Sequence, residues 1–308
     1  MTKQDTQLLK EKPSLYILTG ATSGLLADSI MHPIDTIRAR LQIEKVGQTQ
    51  YRGTFHALQS IIKNEGVAYL YKGMPIVATA TVPAHALYFF GYEYSKKMLE
   101  DKMGPKWGTG TIAHFTSGFV ADALGSLIWV PMDIIKQRLQ VQQNTQKLYP
   151  NQTYYKGSFH AAQVILKEEG VMGLYRGFVP ALMTYGPLVG IYFSVYEKTK
   201  SFITKSLHYE KQDYLPVIYQ LSSGFFAGTV AAAVTCPLDV VKTRIQVQRG
   251  TEERVYKGLF DGFKTILKEE GPRAFVKGMS SRILWIAPGN ALTIASYEQL
   301  KYFFKGFL

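Results

Sequence analysis

One hexapeptide pattern occurs three times, and it limits what this chain can fold into more than any other feature. It reads Pro33-Ile34-Asp35-Thr36-Ile37-Arg38, Pro131-Met132-Asp133-Ile134-Ile135-Lys136 and Pro237-Leu238-Asp239-Val240-Val241-Lys242. Each copy runs on to a glutamine, at Gln42, Gln140 and Gln246. The prolines lie 131 − 33 = 98 and 237 − 131 = 106 residues apart. Self-similarity at such a period has to be settled before any other reading.

The echo continues downstream of every copy. Tyr51-Arg52-Gly53 returns as Tyr155-Lys156-Gly157 and Tyr256-Lys257-Gly258. Glu65-Gly66 returns as Glu169-Gly170 and Glu270-Gly271, and Tyr71-Lys72-Gly73 as Tyr175-Arg176-Gly177 and Val276-Lys277-Gly278. Then come Pro83, Pro187 and Pro288, followed by Tyr92-Glu93, Tyr196-Glu197 and Tyr297-Glu298, each acid with a lysine three residues on at Lys96, Lys200 and Lys301. The reading is a polar tail over 1–13 and three homologous modules over 14–104, 105–208 and 209–308, forming one unit.

Helical periodicity predicts six long helices, near 14–42, 73–98, 110–141, 177–204, 215–248 and 278–305. Three short amphipathic ones join them, the first over His56 to Glu65 with Phe55, Leu58, Ile61 and Ile62 on one side and Gly66 as its cap. Residues 142–156 read as a polar loop. Pro33 lies inside a helical pattern, which would cost about 3 kcal/mol in a soluble helix and is better tolerated where neighbours re-satisfy the freed carbonyls in a membrane. Gly20-x-x-x-Gly24 and Gly224-x-x-x-Gly228 suit close backbone approach; the second module has Gly118 but Asp122 in place of the second glycine. A mean hydropathy of −0.04 fits membrane helices whose polar faces line a wet path. The net charge of +12 points to nucleic acid, an anionic membrane or anionic solutes. A single cysteine, Cys236, excludes an internal disulfide framework and a cysteine-rich metal site. The N-terminal stretch lacks the marks of a secretory signal or a transit peptide.

Three copies of Pro-x-Asp-x-x-Lys/Arg in register with these downstream elements resemble the mitochondrial carrier family, from about Leu15 to Lys301. The resemblance implies an all-α membrane protein: six transmembrane helices and three short matrix-side helices in pseudo-threefold repeats around a central cavity. It implies a monomer in the inner mitochondrial membrane with both termini toward the intermembrane space. It also implies a matrix gate in which Asp35 pairs with Lys136, Asp133 with Lys242 and Asp239 with Arg38, braced by Gln42, Gln140 and Gln246. On the cytoplasmic side Glu93 would pair with Lys200, Glu197 with Lys301 and Glu298 with Lys96, braced by Tyr92, Tyr196 and Tyr297. Two rings that form alternately make the bistable element that a transporter needs; the bland alternative is a static set of salt bridges. By the same resemblance, Gly53, Gly73, Gly157, Gly177, Gly258 and Gly278 would hold the phosphates of structural cardiolipin, against the alternative of ordinary glycine caps. No other cofactor and no metal is expected. Glu65, Glu169 and Glu270 read as ordinary residues of amphipathic helices, and Cys236 as packed in a kink.

A solute has no threefold symmetry, so its contacts should fall where the modules differ. Related positions are Asp28, Ser126 and Ala232; Gly24, Asp122 and Gly228; Ala80, Thr184 and Trp285; and Thr81, Tyr185 and Ile286. Asp28 and Asp122 have no counterparts, and an intramembrane acid is a functional hypothesis by default. Helix rise puts them roughly 7 and 14 Å from their prolines. Two acids with Trp285, and no arginine at these points, suggest a cationic or zwitterionic solute. Asp28, Asp122 and Leu284-Trp285-Ile286 resemble S-adenosylmethionine carriers, although Met183-Thr184-Tyr185-Gly186-Pro187 departs from their fourth helix. Pro83-Ala84-His85-Ala86 with Tyr88-Phe89 resembles mitoferrins, and His85 with Met183 could pass a soft divalent ion; a lone histidine is more often structural. A neutral amino acid also fits. A nucleic-acid partner fails on the alternating acids and bases, an enzyme lacks a nucleophile–base pair or metal cluster, and a soluble helical scaffold would show shorter periods.

Overall fold

The computed structural model describes residues 13–45, 47, 50–103, 111–148, 153–207, 216–249 and 256–305, and these are all helix, turn or irregular backbone, with no strand. In chain order the helices are α1 Pro13–Ile43, α2 Thr54–Asn64, α3 Met74–Met103, α4 Thr111–Leu148, α5 Ser158–Glu169, α6 Phe178–Ser206, α7 Val217–Val234, α8 Cys236–Val247, α9 Leu259–Glu270 and α10 Met279–Lys305. One helical turn follows each short helix, at Val67–Tyr71, Val171–Leu174 and Pro272–Val276, which periodicity did not predict. The helix α4 runs to Leu148, into the stretch read as loop. The N-terminal tail through residue 12, with residues 104–110 and 208–215, lies outside the described residues.

The long helices close a ring. Contacts run from α1 to α3, from α3 to α4, from α4 to α6, from α6 to α7 and from α7 to α10, and α10 returns to α1. Within the fifth long segment the halves differ: α7 packs on its ring neighbours α6 and α10, whereas α8 also reaches α1 and α4. The halves of the odd helices that follow the prolines therefore converge on the ring axis.

Pro33 and Pro131 sit inside continuous helices. The third copy instead breaks at Thr235, with a 62° bend between α7 and α8. Pro237 then falls in the first turn of α8, where its missing N–H costs nothing. The Thr235 hydroxyl donates to the Ala231 carbonyl at 2.7 Å, a bond that bends helices.

Three small cores repeat the symmetry. Ile37, Leu41, Tyr51, Ala57, Ile61 and Leu70 cluster in the first module. Ile135, Leu139, Tyr155, Ala161 and Ile165 do so in the second, and Val241, Ile245, Tyr256, Ile266 and Phe275 in the third. Burying one such side chain contributes roughly 1.5–3 kcal/mol, so each short helix is fastened to its own odd helix. The buried face of α2 is Ala57 and Ile61. Phe55, expected on that face, is 76% exposed, as are its counterparts Phe159 and Phe260 at 80% and 83%. They point away from the core because they stand about 200° round the helix from Ala57, and they form a threefold apolar fringe. Close glycine approach occurs at Gly228, whose added Cβ would stand 3.2 Å from the Ala287 backbone, whereas Gly20, Gly24 and Gly118 meet nothing within 4 Å.

By length and composition, three described segments suffice to cross a membrane: Val67–Asp101, Thr116–Asn144 and Val171–Ser206. The bent pair Ile218–Val234 and Cys236–Val247 makes a fourth.

Candidate functional site

Where the odd helices converge, six charges from the three motif copies meet. Lys136 Nζ lies 3.2 Å from Asp35 and Lys242 Nζ 2.9 Å from Asp133, while Arg38 Nη1 lies 2.5 Å from Asp239. Each of these links joins two modules. Within modules, Arg38 also bridges Asp35 at 2.7 Å and Lys136 bridges Asp133 at 3.3 Å. None of these side chains is more than 10% exposed. Buried charges are tolerable only when paired and hydrogen-bonded, and such pairs add little net stability over apolar packing. That balance suits a contact made to be broken.

The glutamines do not act alike. Gln42 Nε2 donates to Asp239 at 2.8 Å, and Gln140 Nε2 donates to Asp35 at 3.2 Å. Among the described residues neither side-chain polar atom of Gln246 has a hydrogen-bond partner; its chain packs on Gly177 instead. Past the charges, Ala39, Val141 and Val247 pack together with Ile43. Ile43, Val141 and Val247 are module equivalents, so an apolar plug underlies the charged ring.

A second threefold set joins each motif copy to the short helix of its own module. Arg40, Arg138 and Arg244 are buried, and each forks onto the glutamate of its own module. Arg40 donates to Glu65 at 2.5 and 2.8 Å, Arg138 to Glu169 at 2.5 and 3.1 Å, and Arg244 to both oxygens of Glu270. Their Nε atoms donate across modules to the Gln140, Gln246 and Gln42 carbonyls at 2.9, 3.1 and 2.9 Å. The glutamates are thus anchors rather than ordinary helix residues. The signal was there: arginine, never lysine, at all three positions, as bidentate geometry requires.

At the other end the residues stand apart. Glu93 and Glu197 are exposed, and no ion pair joins Glu93 to Lys200 among the described residues. Lys200 Nζ instead lies 5.9 Å over the Tyr196 ring, which stacks on Tyr192. Tyr92 and Tyr297 are half-buried, and the side chains of Glu298 and Lys301 lie outside the described residues.

The positions of broken symmetry divide into three groups. Trp285 covers Arg38, with 4.8 Å from guanidinium carbon to ring centre. The Tyr185 hydroxyl accepts from Lys242 Nζ at 2.9 Å, and its ring lies 4.4 Å below that ammonium. Two ring cations are therefore capped by aromatic faces. The third, Lys136, has no such cap among the described residues and is the most exposed of the three. Thr81, Thr184 and Ile286 are buried, and both hydroxyls bond back to their own helices, at Val77 and Pro180. His85 Nδ1 sits 2.8 Å from the Thr81 carbonyl and its ring meets Trp129 edge-on at 5.5 Å.

Asp28 and Asp122 form the remaining group. Asp28 precedes Asp35 by seven residues and Asp122 precedes Asp133 by eleven, whole numbers of turns, so each acid shares a stripe with a ring aspartate. Both are half-buried, and neither accepts a hydrogen bond or forms an ion pair among the described residues. The field at Asp28 comes from Lys136, Asp35 and Asp133, and the field of Asp122 reaches Tyr88. No trio of histidine, cysteine or acid able to hold a metal occurs among the described residues.

The glycines fall into two sets. Gly73, Gly177 and Gly278 have φ of +90°, +93° and +72°, where other residues are strained. A Cβ there would press on Lys136, Gln246 and Gln42 respectively, at 3.0, 2.7 and 3.0 Å, so each lets a neighbouring module's odd helix close in. Gly53, Gly157 and Gly258 are extended and lie in open space at the starts of α2, α5 and α9.

A family model described as mitochondrial carrier protein matches residues 10–103, 108–207 and 213–308. The chain is 78% identical over 296 residues to mitochondrial substrate carrier family protein E of Dictyostelium discoideum, covering 96% of this chain and 98% of that one. It is 32% identical to the succinate/fumarate mitochondrial transporter of Saccharomyces cerevisiae, over 94% and 91% of the two chains. It is also 32% identical to the mitochondrial basic amino acids transporter of Bos taurus, over 95% and 93%.

Proposed function

The chain belongs to the mitochondrial carrier family, a family of transporters, and on that premise we propose that it moves a cationic or zwitterionic solute through one central site by alternating access. The conformation described has the motif ring closed and Glu93 apart from Lys200, which supports a state shut toward the matrix and open toward the intermembrane space. All six long helices then span the inner mitochondrial membrane, with both termini in the intermembrane space, and the protein works as a monomer.

The observation that carries the solute class is the pair Asp28 and Asp122, two acids on the ring stripes without a cation of their own. Two relatives at equal identity act, by name, on solutes of opposite charge: succinate/fumarate and basic amino acids. Unpaired acids favour the cation. Trp285 adds a face for a methylene chain, a sulfonium or a nucleobase, so S-adenosylmethionine and basic amino acids are the leading chemistries, followed by neutral amino acids. A divalent-metal cargo has less support, since the Thr81 carbonyl and the Trp129 ring already engage His85.

The same reading seats structural cardiolipin where short-helix starts meet even-helix starts. The Thr54 hydroxyl lies 2.9 Å from both Ser280 and Ser281, which brings the open amides beside Gly53 near those beside Gly278. Two converging helix N-termini suit a phosphate.

The test is an uptake screen in proteoliposomes with S-adenosylmethionine, arginine, a neutral amino acid, ferrous iron and succinate. Uptake of a cationic or zwitterionic probe is expected. Uptake of succinate alone would reject the solute class, and uptake of nothing in any direction of gradient would reject the transport reading.

A further inference from the structure

Arg282 is a cation that the module pattern does not call for. The positions six before the even-helix prolines are Val77, Ala181 and Arg282. The arginine is 1% exposed. Its Nη2 donates to the Thr235 hydroxyl at 2.8 Å, and its Nη1 forms an ion pair with Asp239. Its Nε has no hydrogen-bond partner among the described residues. A buried guanidinium ordinarily satisfies its donors. This one keeps its Nε in reserve and adds its ion pair to a carboxylate already engaged by Arg38 and Gln42.

The reserve makes sense once the partners of each ring acid are sorted by module. Asp35 has Arg38 from its own module and Lys136 from the next. Asp133 has Lys136 from its own and Lys242 from the next. By that rule Asp239 should also bridge Lys242, three residues on. No ion pair joins them; Lys242 is turned to Asp133 and Tyr185. Arg282, also from the third module, stands in its place. When the inter-module links part, Asp35 keeps Arg38 and Asp133 keeps Lys136. Without Arg282, Asp239 would have no partner of its own module in place, and a buried charge left unpaired is strongly unfavourable.

We propose that Arg282 is a positioning residue that stays on Asp239 through the transport cycle, keeping its ion pair with the carboxylate as Arg38 withdraws. This rests on the alternating-access reading of the ring. Because Arg282 holds both Thr235, where the fifth helix breaks, and Asp239, in the first turn of α8, it makes α8 and α10 move as one piece at this corner.

Cys236, the sole cysteine, is fully buried at the break, and its thiol lies in the field of Asp239, Arg282 and Arg38. Its labelling rate by a small methanethiosulfonate in reconstituted protein therefore reports how often this corner opens, whatever the solute. Lys242→Gln loosens the ring elsewhere and should raise the rate roughly ten-fold; no rise would remove the gate reading itself. With that control positive, Arg282→Gln should lower the rate roughly ten-fold, since opening then strands Asp239. Adding Asp239→Asn should restore it to the wild-type rate or above. A rate for Arg282→Gln equal to or above wild type would overturn the proposal, because Arg282 would then be a bystander or a lock on the closed state. If Arg282→Gln does not reach the membrane, the double variant decides: insertion is expected to recover, and continued failure would count against the proposal.

Discussion

Lys242 Nζ lies 2.9 Å from the Asp133 carboxylate and 2.9 Å from the Tyr185 hydroxyl, so one buried ammonium ties the third module to the second across 109 residues. A neutral aromatic hydroxyl shares the cation with the acid, and both members of the pair are buried. Such a link is worth little as glue and much as a switch, since losing one partner leaves the other exposed to the full cost of burial.

The first prediction follows from that link. Asp133→Lys places three cations together and should cut uptake at least about ten-fold. Adding Lys242→Asp re-creates the pair with its polarity reversed and should recover part of the loss. Wild-type amounts of double mutant in the membrane with no recovery would remove this pair from the gate.

The arginine–glutamate anchors predict a ranking of stability. Glu169 holds both Arg138 and Arg176 and is 2% exposed by side chain, whereas Glu65 holds Arg40 and is 14% exposed. Glu169→Gln should therefore cost the more, about 3–5 kcal/mol, seen as a loss on the order of 10 °C in detergent melting. Glu65→Gln should lose less. The reverse order, or no loss in either, would contradict the anchor role.

Glu44 predicts a pH effect. Its carboxylate accepts the Gln50 and Tyr51 N–H groups at 3.0 and 3.1 Å, at the position where the other modules have Gln142 and Gln248. Burial pushes its carboxyl above the ordinary glutamate range. The folded protein thus keeps this proton over a window where the unfolded chain has released it. The stability from this group is present below the unfolded value and is lost as pH rises through the folded one. Glu44→Gln removes that loss, so at pH 7.5 its melting temperature should equal or exceed wild type by about 1–3 °C, with a flatter acid-side profile. A clear fall at pH 7.5 would show that the charge is favourable after all.

The modules and the ring were legible because a repeated motif puts like residues at like depth. Pro33, Pro131 and Pro237 looked equivalent, but the break came only at Thr235. At that break Arg282 reaches Thr235 from α10, a contact that local periodicity cannot report. Gln246 is written like Gln42 and Gln140 but packs on Gly177 instead of bonding to an acid. Glu169 at the end of an amphipathic helix looks ordinary until Arg138 is found beneath it. Asp28 and Asp122 stood out for the opposite reason: their modules differ there, and difference is visible without any coordinates.

The most direct measurement of the central claim is proteoliposome uptake of radiolabelled S-adenosylmethionine and arginine by wild-type protein, Asp28→Asn and Asp122→Asn. Wild type should take up at least one of the two. Each variant, inserted in normal amounts, should lose apparent affinity for it by roughly 30-fold or more, the equivalent of about 2 kcal/mol for one desolvated charge partner. Wild-type-like uptake in both variants, or a wild-type protein that carries succinate and neither cation, would contradict the account.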